Sequence, residues 1–201
     1  MTFILASASP RRREILAHLG LDFSILCADA DESSDERDGA KLVEILSLRK
    51  AHAVRDRLIR EGTEVQDTVI LASDTVVVSP DGEILGKPKN REDAVRMLRS
   101  LSGRTHYVIS GLAVWTQEKE VASHEVTKVT FMPLTEDIID RYVDSGEPMD
   151  KAGAYGIQDT AALWIEGIEG DYFNVVGLPV HRLECVLKEN FGLSLWKNGG
   201  R

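Results

Sequence analysis

Cysteine is scarce in this chain: Cys27 and Cys185 are the two in 201 residues. They lie far apart and without metal-like spacing. That leaves no basis for a disulfide framework or a cysteine metal site, and it predicts reduced, buried thiols in a cytosolic protein. Long hydrophobic runs are missing too. The longest apolar stretches fall far short of a membrane span, and no long apolar segment follows a basic start, so neither a spanning helix nor a signal peptide is expected. Positive charge is in deficit, with 24 Lys and Arg against 33 Asp and Glu, for a net charge of −9. That argues against a nucleic-acid coat binder. It leaves room for a small phosphorylated ligand, because local clusters can oppose the global sign. No glycine-rich loop ends in Gly-Lys-Ser/Thr, which excludes a P-loop. Internal repeats, low-complexity tracts and linkers are likewise missing.

What is present suffices for a core. Hydrophobic residues make up 43% of the chain, enough for one large α/β domain or two small lobes. Strands are expected over 2–6, 69–79 and 84–85, the last after a Pro80–Glu83 turn. Longer strands are expected over 107–116 and 121–132, and a hairpin pairs 160–166 with 172–176 around 167–171. Helices are expected from Pro10 to Gly20, over 40–60, from an Asn90 cap to about Leu101, from a Thr135 cap to about Ser145, and over 178–191. Asp93 stands where a capping-box-like contact would form. Residues 196–201 read as a frayed tail. Long antiparallel-looking strands within an alternating chain predict a mixed sheet rather than a parallel one.

Charge is unevenly placed. Arg11, Arg12 and Arg13 are three consecutive cations, and the first two fall in the first turn of the first helix, where exposed N–H groups already favour an anion. Cations there work against the helix dipole. A bound polyanion would explain them, as would a solvated basic patch. Six acids crowd 29–38 against Arg37 alone. A solvated loop is the default reading, and a minority role in holding Mg²⁺ is open, since that ion needs only one or two carboxylates beside substrate phosphates. Asp74 interrupts an apolar strand, where an unpaired carboxylate costs several kcal/mol, of order, unless it is paired or solvated. A structural Asp is the alternative to a functional one. Lys50 shares a helical face with Leu46 and Val54, where it either reaches a site or snorkels. Lys87 follows a strand within Gly86-Lys-Pro88, a weak pattern alone. In Asp150-Lys-Ala-Gly-Ala-Tyr-Gly-Ile-Gln158, Gly153 and Gly156 flank a small residue and an aromatic. The stretch reads either as a strained loop against a ligand or as a β-bulge with Tyr155 in the core. Together these features fit Mg²⁺-assisted hydrolysis of a phosphoanhydride.

The chain resembles the Maf family of nucleoside triphosphate pyrophosphatases. The matching segments are Leu5-Ala-Ser-Ala-Ser-Pro-Arg-Arg-Arg-Glu-Ile-Leu16, Ser73-Asp-Thr-Val-Val77, Gly86-Lys-Pro88, Asp150 to Gln158, and Gly170-Asp-Tyr-Phe-Asn-Val-Val-Gly-Leu-Pro179. They run in family order over nearly the whole chain, and the first and fourth are highly specific. The resemblance implies an α/β fold related to inosine triphosphate pyrophosphatases: a mixed, elongated, twisted sheet with flanking helices and two lobes around a cleft, within one domain over 1–201. It also implies cleavage between the α and β phosphates, a divalent cation (Mg²⁺ or Mn²⁺), a cytoplasmic location and often a homodimer. Carried over by position, Asp74 would be the general base and Glu32 would help hold the metal. Ser9, Arg12, Lys50 and Lys87 would bind the triphosphate and stabilise developing charge. Asp74 and Thr75 point to opposite faces of a regular strand, so contact of both with substrate requires a bend or bulge.

Base preference follows from three further positions. The dTTP/UTP branch of the family carries Arg, Thr and Gln where this chain has Arg11, Thr75 and Gln158. A branch acting on 7-methyl-GTP has Trp and Glu at the first and third. A uracil or thymine edge offers one N–H between two carbonyls, and a Gln amide supplies both a donor and an acceptor. Methylated guanine offers two N–H donors and positive charge, which suit a carboxylate and a stacked Trp. The chain therefore falls on the pyrimidine side. Asp159 departs from the Gly of many relatives and adds negative charge near the expected base pocket. The alternatives are a 7-methyl-GTP pyrophosphatase, a hydrolase of modified pyrimidine nucleotides, and a nucleotide-binding regulator of septum formation with little turnover.

Overall fold

The computed structural model describes residues 1–196. From the N-terminus, β1 (Thr2–Leu5), α1 (Pro10–His18), β2 (Phe23–Ile25), α2 (Gly39–Arg60), β3 (Thr68–Val78) and β4 (Ile84–Leu85) come first. Then follow α3 (Arg91–Leu101), β5 (Thr105–Trp115), β6 (Glu120–Phe131), α4 (Glu136–Asp144), three short 3₁₀ turns, β7 (Ile165–Glu169), α5 (Tyr172–Val176) and α6 (Val180–Phe191). The strands form one seven-stranded sheet in the order β2-β1-β3-β5-β6-β7, with β4 paired to β3. β1 runs parallel to β2 and β3, while β3–β4 and β6–β7 are antiparallel. The expected mixed sheet with flanking helices is what the chain forms. Two compact units divide it. One holds Met1–Asp74, Ser110–Glu125 and the chain from Gly177, and the other holds Thr75–Ile109 and Val126–Val176.

In the first unit, β1 buries Phe3, Ile4 and Leu5 in succession, as a strand covered on both faces should. α2 starts on an Asp38 cap whose carboxylate accepts from the Ala40 and Lys41 N–H groups. Its buried positions Val43, Leu46, Ser47, Ala51, Val54 and Leu58 repeat at helical spacing. Ala51, Val54 and Leu58 of that stripe pack into a core with Ile4, Ile70, Ala72, Ala113 and Trp115. Helix and sheet meet closely: a Cβ at Gly111 on β5 would stand 2.3 Å from the Val43 carbonyl oxygen.

In the second unit, α3 buries Val95, Leu98 and Leu101 against β5, β6 and α4 side chains including Val108, Phe131, Ile139 and Tyr142. The Asn90 side chain caps α3 by accepting from the Asp93 N–H at 2.8 Å. The reciprocal contact is displaced by one residue, because Asp93 accepts from the Lys89 N–H at 3.1 Å. Thr135 caps α4 through the Ile138 N–H.

Three expectations need correction, and one strand is additional to those expected. The hairpin over 160–176 does not form. Residues Thr160–Trp164 make a 3₁₀ turn and Tyr172–Val176 a helix. The Glu147 carboxylate grips the Thr160 N–H and hydroxyl, and Asp171 accepts from the Phe173 N–H at 2.7 Å, so local side-chain bonds outweigh strand propensity. β2, for which the sequence pattern gives no expectation, is a three-residue strand held by β1. Cys27 is exposed and Cys185 half-buried, so both thiols are free but neither is a core residue. Ser9 stands at the α1 N-cap, yet its side chain makes no capping bond. The tail expected over 196–201 falls outside the described residues from 197 onward. Among the described residues, no helix is long and apolar enough to cross a membrane.

Candidate active site

Asp74 sits on β3 with its side chain 14% exposed, immediately after the fully buried Ser73. The residue that answers the cost of its burial is Lys50. From the inner stripe of α2, the Lys50 ammonium donates to Asp74 Oδ1 and pairs with Glu32 Oε1 at 2.9 Å. The lysine therefore does not snorkel. It joins two carboxylates from separate segments, one on a strand and one from the acidic loop.

Arg12 completes this group from the first turn of α1. Its Nε donates to the Gly177 carbonyl at 2.7 Å and its Nη1 to Ser7 Oγ at 3.1 Å. Two bonds from different nitrogens fix the plane of the guanidinium. Burial pushes Arg12 down to about 10, Arg11 adds to that, and the charges of Asp74 and Glu32 pull it back up. The arginine stays charged at neutral pH within the field of both carboxylates. Ser7 Oγ also accepts from the Ser9 N–H at 3.2 Å, and Ser73 Oγ donates to the Gly177 carbonyl at 3.0 Å.

Thr75, Lys87 and Gln158 belong to the second unit. Thr75 is half-buried on β3, directly after Asp74. Lys87 is exposed just beyond β4. Gln158 is exposed in the loop after the Ala152–Ala154 turn. The last two segments are tied together, since the Gly153 N–H donates to the Gly86 carbonyl at 3.0 Å. Gly153 takes φ +68, and a Cβ there would stand 2.7 Å from Val77 Cγ2. Tyr155 packs in the core at 5% exposure, T-shaped to Phe131 and His106, so the loop's aromatic is structural. The segment is a turn, however, and not a bulged strand.

The carboxylates gathered here, Asp74 and Glu32, are both engaged by the Lys50 ammonium. Among the described residues, no group of three or more His, Cys, Asp or Glu could hold a metal. Mg²⁺ bound through substrate phosphates would ask for only one or two carboxylates, and Glu32 is exposed enough to offer one.

The chain matches the model of the family described as Maf-like protein over residues 2–190. It belongs to that family. A relative from Acetivibrio thermocellus, named dTTP/UTP pyrophosphatase, is 49% identical over 96% of this chain and 97% of its own length. One from Moorella thermoacetica, bearing the same name, is 50% identical over 96% of each chain. A third from Symbiobacterium thermophilum, also so named, is 48% identical over 98% of this chain and 97% of its own.

In this Maf chain, two participants carried no sequence signal of their own. Ser7 and the Gly177 carbonyl orient Arg12, yet a serine in a Ser-Ala-Ser run and a backbone oxygen look ordinary in sequence. The motif ending at Pro179 marks the Gly177 segment without revealing that its carbonyl is the acceptor.

Proposed function

We propose that this protein hydrolyses dTTP and UTP to the monophosphate and pyrophosphate. The observation that carries the reading is the meeting of Lys50 with both Asp74 and Glu32, in a unit where Arg12 is held rigidly near the same carboxylates. A triphosphate is a polyanion, and a planar arginine with a lysine offers it directed donors. Family membership and the names of the relatives support the substrate class.

In this reading Arg12, Lys50 and Lys87 bind the phosphates with Ser9, and they stabilise charge as the α–β bridge breaks. Asp74 takes a proton from the attacking water. Lys50 orients the base through its hydrogen bond to Oδ1 and shifts toward phosphate when substrate enters. Glu32 would help hold the divalent cation, Mg²⁺ or Mn²⁺. That cation supplies Lewis-acid polarisation and a lowered water pKa, so a weak carboxylate base suffices. Gln158 reads the donor and acceptor edge of the pyrimidine, and Arg11 and Thr75 contribute to the same base preference. The reading further includes a cytoplasmic location and a homodimer.

The test is product analysis from a panel of nucleoside triphosphates with Mg²⁺ or Mn²⁺. Pyrophosphate and monophosphate from dTTP and UTP, ahead of other bases, are expected. Activity on 7-methyl-GTP alone would reverse the assignment of base. Tight binding without turnover of any triphosphate would favour a regulatory protein.

A further inference from the structure

Lys151 is buried, its side chain only 9% exposed, within the segment that leads to Gln158. The proposed reaction gives it no role. Lysine is almost never buried unless paired, and here the ammonium has three partners. Nζ donates to the Glu147 carbonyl at 2.7 Å and to Asp150 Oδ1 at 2.8 Å, and it pairs with Asp159 Oδ2 at 3.4 Å. An apolar side chain such as Met would fill the same volume without needing partners. What the ammonium adds is a fixed point joining residues 147, 150 and 159.

The backbone closes over this lysine. A Cβ at Gly156 would stand 2.7 Å from Lys151 Cε and 2.7 Å from Asp159 Oδ2. A larger residue there would push aside the lysine stem or the Asp159 carboxylate, so the glycine lets the loop lie directly on both. Glu147 adds a second tie, accepting from the Thr160 N–H at 3.2 Å and from its hydroxyl at 2.8 Å. Gln158 is therefore bracketed: Gly156 rests on the lysine before it, and Asp159 and Thr160 are anchored after it. Upstream, Ala154 holds φ +63, an uncommon conformation for a residue with a Cβ.

We propose that Lys151 is a positioning residue for base selection, its ammonium holding the loop so that Gln158 presents its amide in one orientation. This rests on Gln158 being the base reader of the proposed function. A side chain already ordered loses less entropy on binding, so the contribution falls on substrate affinity more than on the chemical step. Asp159 is in this chain a clamp partner of Lys151.

The experiment measures kcat and KM for dTTP and dCTP with the wild type, Lys151→Met, Asp159→Asn, Gln158→Ala and the Lys151→Met/Gln158→Ala double variant. The expected result is a rise in KM for dTTP of about tenfold in Lys151→Met, with kcat nearly kept and the dTTP preference over dCTP reduced. Asp159→Asn shifts the same quantities in the same direction by less. In the Gln158→Ala background, Lys151→Met produces no further loss of preference. Should Lys151→Met fail to fold, Asp159→Asn decides, because Asp159 is 41% exposed and carries little packing. Unchanged selectivity in the folded variants, or an equal loss with and without Gln158, overturns the role of Lys151 and leaves the pyrophosphatase intact. A wild type without turnover of any triphosphate overturns both.

Discussion

His106 is fully buried in the second unit, with Nε2 2.8 Å from the Tyr155 hydroxyl and its ring against Phe131. Burial pushes the histidine down to about 4, and burial pushes the Tyr155 phenol up. The unfolded chain therefore binds a proton at this histidine before the folded chain does. Stability from the neutral imidazole is fully present above about pH 6.5 and is lost as pH falls towards 4, an effect of roughly 3 kcal/mol. Urea unfolding of the wild type and His106→Gln across that range should show a shallower acid slope in the variant, while equal slopes would assign the acid sensitivity elsewhere. Gln158 is a different kind of residue, exposed and chemically specific. Gln158→Glu replaces the amide donor with a second acceptor facing pyrimidine carbonyls. Its kcat/KM for dTTP and UTP should fall roughly 100-fold with the unfolding midpoint unchanged. Undiminished turnover of both would remove Gln158 from base recognition.

Among the elements, α2 places the lysine, and its seat on β5 depends on one glycine. Gly111→Ala would drive a methyl group to 2.3 Å from the Val43 carbonyl oxygen, where the obstacle is backbone and not a side chain that can swing aside. Overpacking of that kind costs about 1–3 kcal/mol, and chemical denaturation should register it, with catalysis impaired as well through displacement of Lys50. Full stability in Gly111→Ala would mean that α2 shifts freely. The long elements were legible in sequence because each level of signal agreed. Asn90 and Thr135 start helices with buried stripes at the right spacing. Asp74 stood out because a carboxylate in an apolar strand needs a partner, and Lys50 lay on the face that could provide one. The 160–176 stretch was misread because its strand-forming residues are overruled by Glu147 and Asp171, contacts that no local pattern announces. Ser7 and the Gly177 carbonyl were hidden for a related reason. Arg12 lies 165 residues from Gly177, so only the folded chain pairs them.

At the scale of the whole molecule, a net charge of −9 coexists with a group of cations assembled from α1 and α2 around two carboxylates. Net charge shapes solubility and encounter, and the local arrangement decides what is bound. A family match covering 2–190 agrees with motifs spread from Leu5 to Pro179. The central claim is that Asp74 removes the water proton during pyrophosphate release. Its most direct test is steady-state pyrophosphate release from dTTP by the wild type and Asp74→Asn, with dTTP binding measured in parallel. The account predicts a fall in kcat of about 100-fold or more with binding retained, the size expected for loss of a general base. Comparable turnover in Asp74→Asn would contradict it.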